Sequence, residues 1–276
     1  MDRTRCIISL ATDRGSYSLG LARLGRNLRR VGFRGEFRSW LPGNFPRGCP
    51  AHLESPFAFK PFCLAEARAD GQKIALWLDS SCLVIRSLDP IFDAIEAHGY
   101  LLFKNGPNLV GEWASDLALS EFGLSREEAL LIPEVNSAAI GLNISCPIGI
   151  EFLDAWLEAA RREIPFRGIA DKLGNWSDYE DVKWNRSGRV SSDPRVHGHR
   201  HDQTVAGILA HRLGMELTPD LIDDYPRQGA VTPIGPTTRI VIDRSMRGGP
   251  RATARIWRDK QLGRIAHRFG SPGFRR

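Results

Sequence analysis

Three groups of residues in this 276-residue chain have the types and spacing to do chemistry. The first is Asp79, which ends the apolar run Ile74-Ala-Leu-Trp-Leu and is followed by Ser80 and Ser81. A carboxylate can approach a diphosphate only through a bridging cation such as Mg²⁺ or Mn²⁺, although Asp-Ser-Ser is also good turn chemistry. The second is His197-Gly-His199-Arg-His201-Asp202, the densest set of possible metal ligands. Alternate residues of an extended segment face one side, so three imidazoles could converge as in a metal-dependent hydrolase. Against that use, the order is His then Asp, and only His211 and His267 follow to complete a binuclear site. The third is Glu112, Trp113 and Asp116, an aromatic platform among carboxylates, which suits a sugar with its apolar C–H face and rim of hydroxyls. Lys60 and Arg86 are candidates to neutralise phosphate.

The elements that must position these groups alternate between strand and helix patterns. The run from Cys6 to Thr12 reads as a buried strand, and Asp13 opens the loop after it. Leu19, Leu21, Leu24, Leu28 and Val31 recur at helical spacing, Gly32 and Gly35 close that helix, and residues 36–40 read as a second strand. Strand, helix and strand at this length make a βαβ unit and hence a parallel pair. Residues 60–68 read as a helix leading into the strand that ends at Asp79. An uninterrupted apolar run marks that strand as buried on both faces, and an acid at its carboxyl end sits where open α/β sheets bind ligands. Asp89 and Pro90 suit the start of a helix over residues 89–96, and Gly99 ends it. Strands are expected over 100–103 and 134–144, an amphipathic helix over 148–164, and a last core helix over 201–211. Residues 165–200 are polar and weakly periodic, with Trp176, Tyr179 and Trp184 among them. They read as a functional loop or lid that closes over a ligand.

Composition sets the frame. Apolar content of 42% and charged content of 25% are ordinary for a globular protein. Five cysteines, at 6, 49, 63, 82 and 146, make an odd number without CxxC spacing, which argues for a reducing compartment and against a disulfide framework or zinc knuckle. No apolar stretch approaches the length of a membrane span and no signal-peptide pattern opens the chain, so a cytoplasmic protein is expected. The charge is uneven: residues 239–276 carry +9 and residues 1–38 carry +6, against +6 for the whole chain. A basic tail on an acidic body points to an anionic surface as partner. Leu262, Ile265, Ala266 and Phe269 at helical spacing among arginines suit peripheral contact with an anionic leaflet at the inner face of the membrane, and nucleic acid is not the expected partner.

Blocks spread over roughly residues 5–220 resemble glycosyltransferases of the GT-A fold. The opening strand brings Thr12 and Asp13 to the usual base-binding position. Phe59-Lys60-Pro-Phe starts the next matching helix, and Leu78-Asp79-Ser80-Ser81 stands where that superfamily has Asp-x-Asp. The stretch from Asn136 to Asn143 is similar to its "Asn-Ala-Gly-x-x-x-x-Asn" strand, and His201-Asp202-Gln203 to its "Asp-Gln" helix. The resemblance implies an α/β fold: a single GT-A (Rossmann-like) domain over residues 1–238, with a mostly parallel central sheet flanked by helices. Residues 239–276 would be a basic C-terminal extension. The implied activity is transfer of a sugar from a nucleotide-diphosphate donor to a glycan, lipid-linked or other acceptor. Donor-binding residues would be Thr12, Asp13, Lys60, Asp79, Ser81 and Asn136, with Asp79 and Asp202 catalytic and Glu112, Trp113 and Asp116 toward the acceptor. A divalent cation, Mn²⁺ or Mg²⁺, would be held by Asp79, Ser81 and His201. The departure is Ser81, where the superfamily has a second acid. A hydroxyl is a poorer ligand, so metal binding would be weakened, completed by other residues or replaced by cationic side chains. The same departure fits a non-catalytic relative that binds a sugar-nucleotide or glycan.

Overall fold

The computed structural model describes residues 4–13, 15–219, 221–224 and 234–243. The chain opens with the expected βαβ unit: β1 (Arg5–Leu10), α1 (Ser16–Arg30) and β2 (Glu36–Trp40), with β2 parallel to β1. After α2 (Phe59–Ala69), β3 (Ile74–Leu78) pairs parallel on the other side of β1. A tight turn at Asp79–Ser81 leads into the short β4 (Cys82–Val84), then α3 (Asp89–His98) and β5 (Tyr100–Leu109). A single 3₁₀ turn (Val110–Glu112), α4 (Asp116–Glu121) and α5 (Arg126–Ala129) bring the chain to β6 (Pro133–Asn143). Among the described residues the helices that follow are α6 (Pro147–Arg161), α7 (Ile164–Arg167), α8 (Trp176–Trp184) and α9 (Asp202–Arg212). Three short strands follow: β7 (Leu217–Thr218), β8 (Ile222–Asp224) and β9 (Ile240–Ile242).

The main sheet has the order β2-β1-β3-β6-β5-β7. Five strands run one way, and β6 runs against both of its neighbours, β3 and β5. This is the α/β architecture expected from the sequence, a mostly parallel six-stranded sheet flanked by helices. Each face carries its own apolar core. Ile74, Leu76 and Leu78 of β3 pack with Ile7, Leu24, Leu28, Phe92 and Ile95, whereas Ala75 and Trp77 pack on the opposite face among α2, α6 and α9. Side chains alternate along a strand, so Asp79 follows Ala75 and Trp77 onto the α2 and α9 face. That parity decides which helices can meet the acid.

A second sheet, β4-β9-β8, closes over the turn after β3. Ile240 to Ile242 pair antiparallel with Val84 to Cys82, and Arg23 of α1 forms a buried ion pair with Asp243 at 2.7 Å. The first residues of the segment set apart as a basic extension, 239–243, are therefore part of the domain. Residues 244–276, with the proposed membrane-facing helix, lie outside the described residues. Arg23 also donates to the Ser81 carbonyl at 3.2 Å, and a Cβ on Gly20 would stand 2.4 Å from the Ser80 carbonyl oxygen. Only a residue without a side chain lets α1 press this closely on the Asp79–Ser81 turn.

Residues 165–200 differ from the expected loop. They form α7 and α8 and bury a small apolar cluster of Ile169, Leu173, Tyr179, Val182, Val190 and Val196. The polar spacing hid this because the six apolar residues come from separate short segments and share no single period. β5 outran its expected end at residue 103 because two register shifts, after Leu102 and after Lys104, break the alternation that marks a strand.

Candidate functional site

The strand order changes direction of growth at β1, with β2 on one side and β3 on the other. In open α/β sheets ligands bind beyond the carboxyl ends of the strands at such a switch point. Thr12 follows β1 there and Asp79 follows β3. Two adjoining hollows open between them. The larger, about 270 Å³, is lined by residues that include Lys60, Asp79, Ser81, Trp113, His201 and Asp202. The smaller, about 160 Å³, is walled by Thr12, Tyr17, His52, Phe59, Trp176 and Tyr179, and shares Asp79 and Ser81 with the first.

At the floor lies a charged triad. Lys60, the second residue of α2, is 2% exposed, and its Nζ stands 3.0 Å from Asp79 Oδ1 and 2.7 Å from Asp202 Oδ2. It also donates to the Ser137 carbonyl at 2.9 Å and to the Ser137 hydroxyl at 3.2 Å. Burial disfavours the ammonium, but the Asp202 and Asp79 carboxylates outweigh it and hold the Lys60 pKa above its ordinary value. Asp202, at the first position of α9, is 4% exposed. Asp79 is the open member at 30% exposure, and Trp77, two residues back on the same strand face, donates its indole N–H to Asp79 Oδ1 at 2.8 Å. Both contacts fall on Oδ1.

Above the triad, Arg200 lies on the Trp113 ring, its guanidinium carbon 3.3 Å from the ring centroid, and pairs with the buried carboxylate of Glu134. Lys183 of α8 borders both hollows, 5.4 Å from the Tyr179 ring centroid and 5.3 Å from that of Trp184. Glu134 is notable for its titration. Burial raises its carboxyl from 4.5 to about 7, against the attraction of Arg200 and a 2.6 Å hydrogen bond from Asn105. The folded protein therefore holds a proton that the unfolded chain releases, and stability falls as pH rises from about 4.5 to about 7. Glu134→Gln removes that dependence. Relative to wild type, its unfolding free energy should gain roughly 3 kcal/mol between pH 4.5 and about pH 8, read by urea denaturation. Parallel pH profiles for the two proteins would show that folding leaves the Glu134 pKa unshifted.

The remaining expected site residues are distributed differently. Asp13 accepts hydrogen bonds from the Gly15 and Tyr17 amides at 2.8 and 3.1 Å, a helix-capping use at the start of α1. Asn136, buried within β6, accepts from the Ala138 amide at 3.2 Å. Of the supposed acceptor trio only Trp113 borders the hollows. Glu112 turns back onto the Leu109 amide at 2.9 Å, and Asp116 pairs with Arg126 and accepts from Ser191 at 2.9 Å. Both are acids in the first turn of a helical segment, where the free amides and nearby donors claim them.

The three imidazoles do not converge as a set: the His199 and His201 rings stand 5.2 Å apart, but both turn onto the Phe166 carbonyl. His199 uses both ring nitrogens inside the fold, against the Pro165 and Phe166 carbonyls and the Ser115 amide. His197 packs on Trp113. His201 donates from Nδ1 to the Phe166 carbonyl at 2.8 Å, which leaves Nε2 as the lone-pair nitrogen, buried and without a hydrogen-bond partner. Its backbone sits at φ 51°, so the alternation assumed for an extended segment ends there. Among the described residues no group of three or more His, Cys, Asp or Glu side chains could hold a metal ion. Of the donor set named for a divalent cation, Asp79 already faces the Lys60 ammonium at 3.0 Å and His201 gives Nδ1 to the Phe166 carbonyl, which leaves Ser81 as a hydroxyl beside a fixed positive charge, a poor fit to a dication.

Several site residues escaped the sequence: Tyr17, Trp77, Glu134, Ser137, Lys183 and Arg200. Trp77 was within reach, since residue i−2 on a strand must share the face of Asp79. The others come together only through long-range packing. None of the five cysteines is bridged, and among the described residues no helix is long and apolar enough to cross a membrane.

No protein family's sequence profile matches the chain, and no curated protein matches it. Solved structures do. The galactosyltransferase LgtC in complex with donor and acceptor sugar analogs is 13% identical, with 91% of this chain and 94% of that one covered at a TM-score of 0.42. Mouse xyloside xylosyltransferase 1 in its apo form is 10% identical, with 88% and 98% covered at 0.43. A glycosyltransferase involved in glycosylation of the major capsid of PBCV-1 is 14% identical, with 68% and 79% covered at 0.35. By their descriptions all three are glycosyltransferases.

Proposed function

We propose that this protein is a glycosyltransferase that binds a nucleotide-diphosphate sugar across the two hollows and passes the sugar to a glycan or lipid-linked acceptor. One observation carries the reading: Asp79 at the end of β3 and Asp202 at the start of α9 are clamped together by buried Lys60 beneath an aromatic-walled crevice at the sheet's switch point. A buried charged cluster opening on one such crevice is a recognised mark of a functional site. The smaller hollow, with Tyr17, Trp176 and Tyr179 on its walls, suits a flat nucleobase. Lys183 and Arg200 supply positive charge for the phosphates, and the planar guanidinium of Arg200 suits paired contacts with phosphate oxygens. Asp79, the exposed carboxylate, accepts a hydroxyl of the sugar and orients it. Trp113 offers a ring face to the acceptor.

A thermal-shift screen of uridine and guanosine diphosphates and their sugars tests the proposal. Saturable stabilisation by one nucleotide family, followed by release of its nucleoside diphosphate with an acceptor, is the expected result. Stabilisation without turnover would mark a non-catalytic binder, and no stabilisation by any of them would sink the reading.

A further inference from the structure

We infer that Lys60 is a built-in substitute for the divalent cation of this site: its ammonium stands between the two carboxylates, so the protein binds its diphosphate ligand without metal. The inference rests on the glycosyltransferase reading for the identity of the ligand, but not for the metal chemistry of the triad.

Three features of Lys60 support it. The first is charge placement. The ammonium lies within 3.0 Å of one oxygen of each acid, and Asp79 is the one acid of the donor set named for a cation. A dication brought beside them would meet a fixed positive charge at close range in a poorly screened interior, where like charges repel strongly. The second is position in the helix. Lys60 occupies the first turn of α2, the end at which the helix dipole disfavours a cation. An ammonium placed and buried there is unfavourable unless the two carboxylates require it. The third is the neighbouring chemistry. Ser81 lies where a second acid would add charge, and the Lys60 ammonium passes above the Phe57 and Trp77 rings at 5.3 and 5.6 Å. These ring faces attract the ammonium. Lysine thus gives the cluster one positive charge, while at the rim Lys183 pairs with Glu180 at 3.4 Å and Arg200 pairs with Glu134.

The test uses the full chain and the metal alone. Wild type and Lys60→Gln are titrated with Mn²⁺ while the melting temperature is followed. In wild type the melting temperature should stay flat. In Lys60→Gln the two acids are left without their ammonium, so Mn²⁺ should bind and raise the melting temperature by about 4 °C with saturation. A saturable rise in wild type equal to that in the variant would overturn the inference, as would a folded variant that ignores Mn²⁺. If Lys60→Gln fails to fold in chelator, folding restored by Mn²⁺ supports the inference and its absence at saturating Mn²⁺ refutes it. A second arm measures stabilisation of wild type by uridine or guanosine diphosphate in chelator and in Mn²⁺. Equal shifts support the inference, and a shift seen only with Mn²⁺ overturns it. If neither nucleotide shifts the protein in either condition, the donor reading fails and the metal titration still decides the role of Lys60.

Discussion

Lys60→Met is expected to destabilise the protein by about 3–5 kcal/mol, the range for removing one partner of a buried ion pair. Methionine nearly matches the volume of the lysine stem, so the loss reports charge and not a cavity. Asp202, 4% exposed, would be left buried without its cation, while Asp79 can turn to water at 30% exposure. In the variant Asp202 takes up a proton on folding. The deficit should therefore shrink as the pH falls toward the ordinary carboxylate range, where the unfolded chain binds that proton too. Urea denaturation at neutral and acid pH measures both quantities. A variant within 1 kcal/mol of wild type, a margin set by exposed pairs, would show that desolvation already cancels the attraction in the native triad.

Asp79→Asn should act on turnover and leave the fold in place. Asparagine keeps an oxygen that can accept from Trp77 and Lys60, and Asp202 still compensates the ammonium. What disappears is the negative charge at the open end of the triad, where the sugar hydroxyl would be held. Misplacing a reacting group by about 1 Å costs on the order of 100-fold in rate, and a loss of at least that size is expected with the melting temperature little changed. Transfer measured with the donor found in the nucleotide screen provides the check. Activity within about twofold of wild type would remove Asp79 from the machinery, since a positioning contact is worth far more.

Much of the fold was legible because local patterns and tertiary packing agree. The apolar runs that became β1, β3 and β6, the leucine spacing of α1, and the Asp-Pro start and Gly99 stop of α3 are all local physics. The small sheet was not legible. β4 spans three residues and finds its partner β9 far along the chain, Cys82 opposite Ile242, so no periodicity marks either strand. The end of β5 was hidden by its bulges for a related reason.

For the site, the sequence alone determined that an acid must stand at the carboxyl end of a buried strand, and that Lys60 and Asp202 lie in the first turns of helices. Strand parity then determined the face on which Asp79 emerges. Only the tertiary structure decided that these three side chains meet within 3.0 Å, because contact between residues 60, 79 and 202 depends on how α2 and α9 pack on the sheet. It also set the partners of Glu112, Asp116, Asp13 and Asn136, whose polar atoms the nearest backbone amides and arginines engage. A carboxylate's type and spacing establish what it can do. Whether it faces a ligand depends on which donors the fold brings to it first, and that competition is settled over distances no local pattern spans.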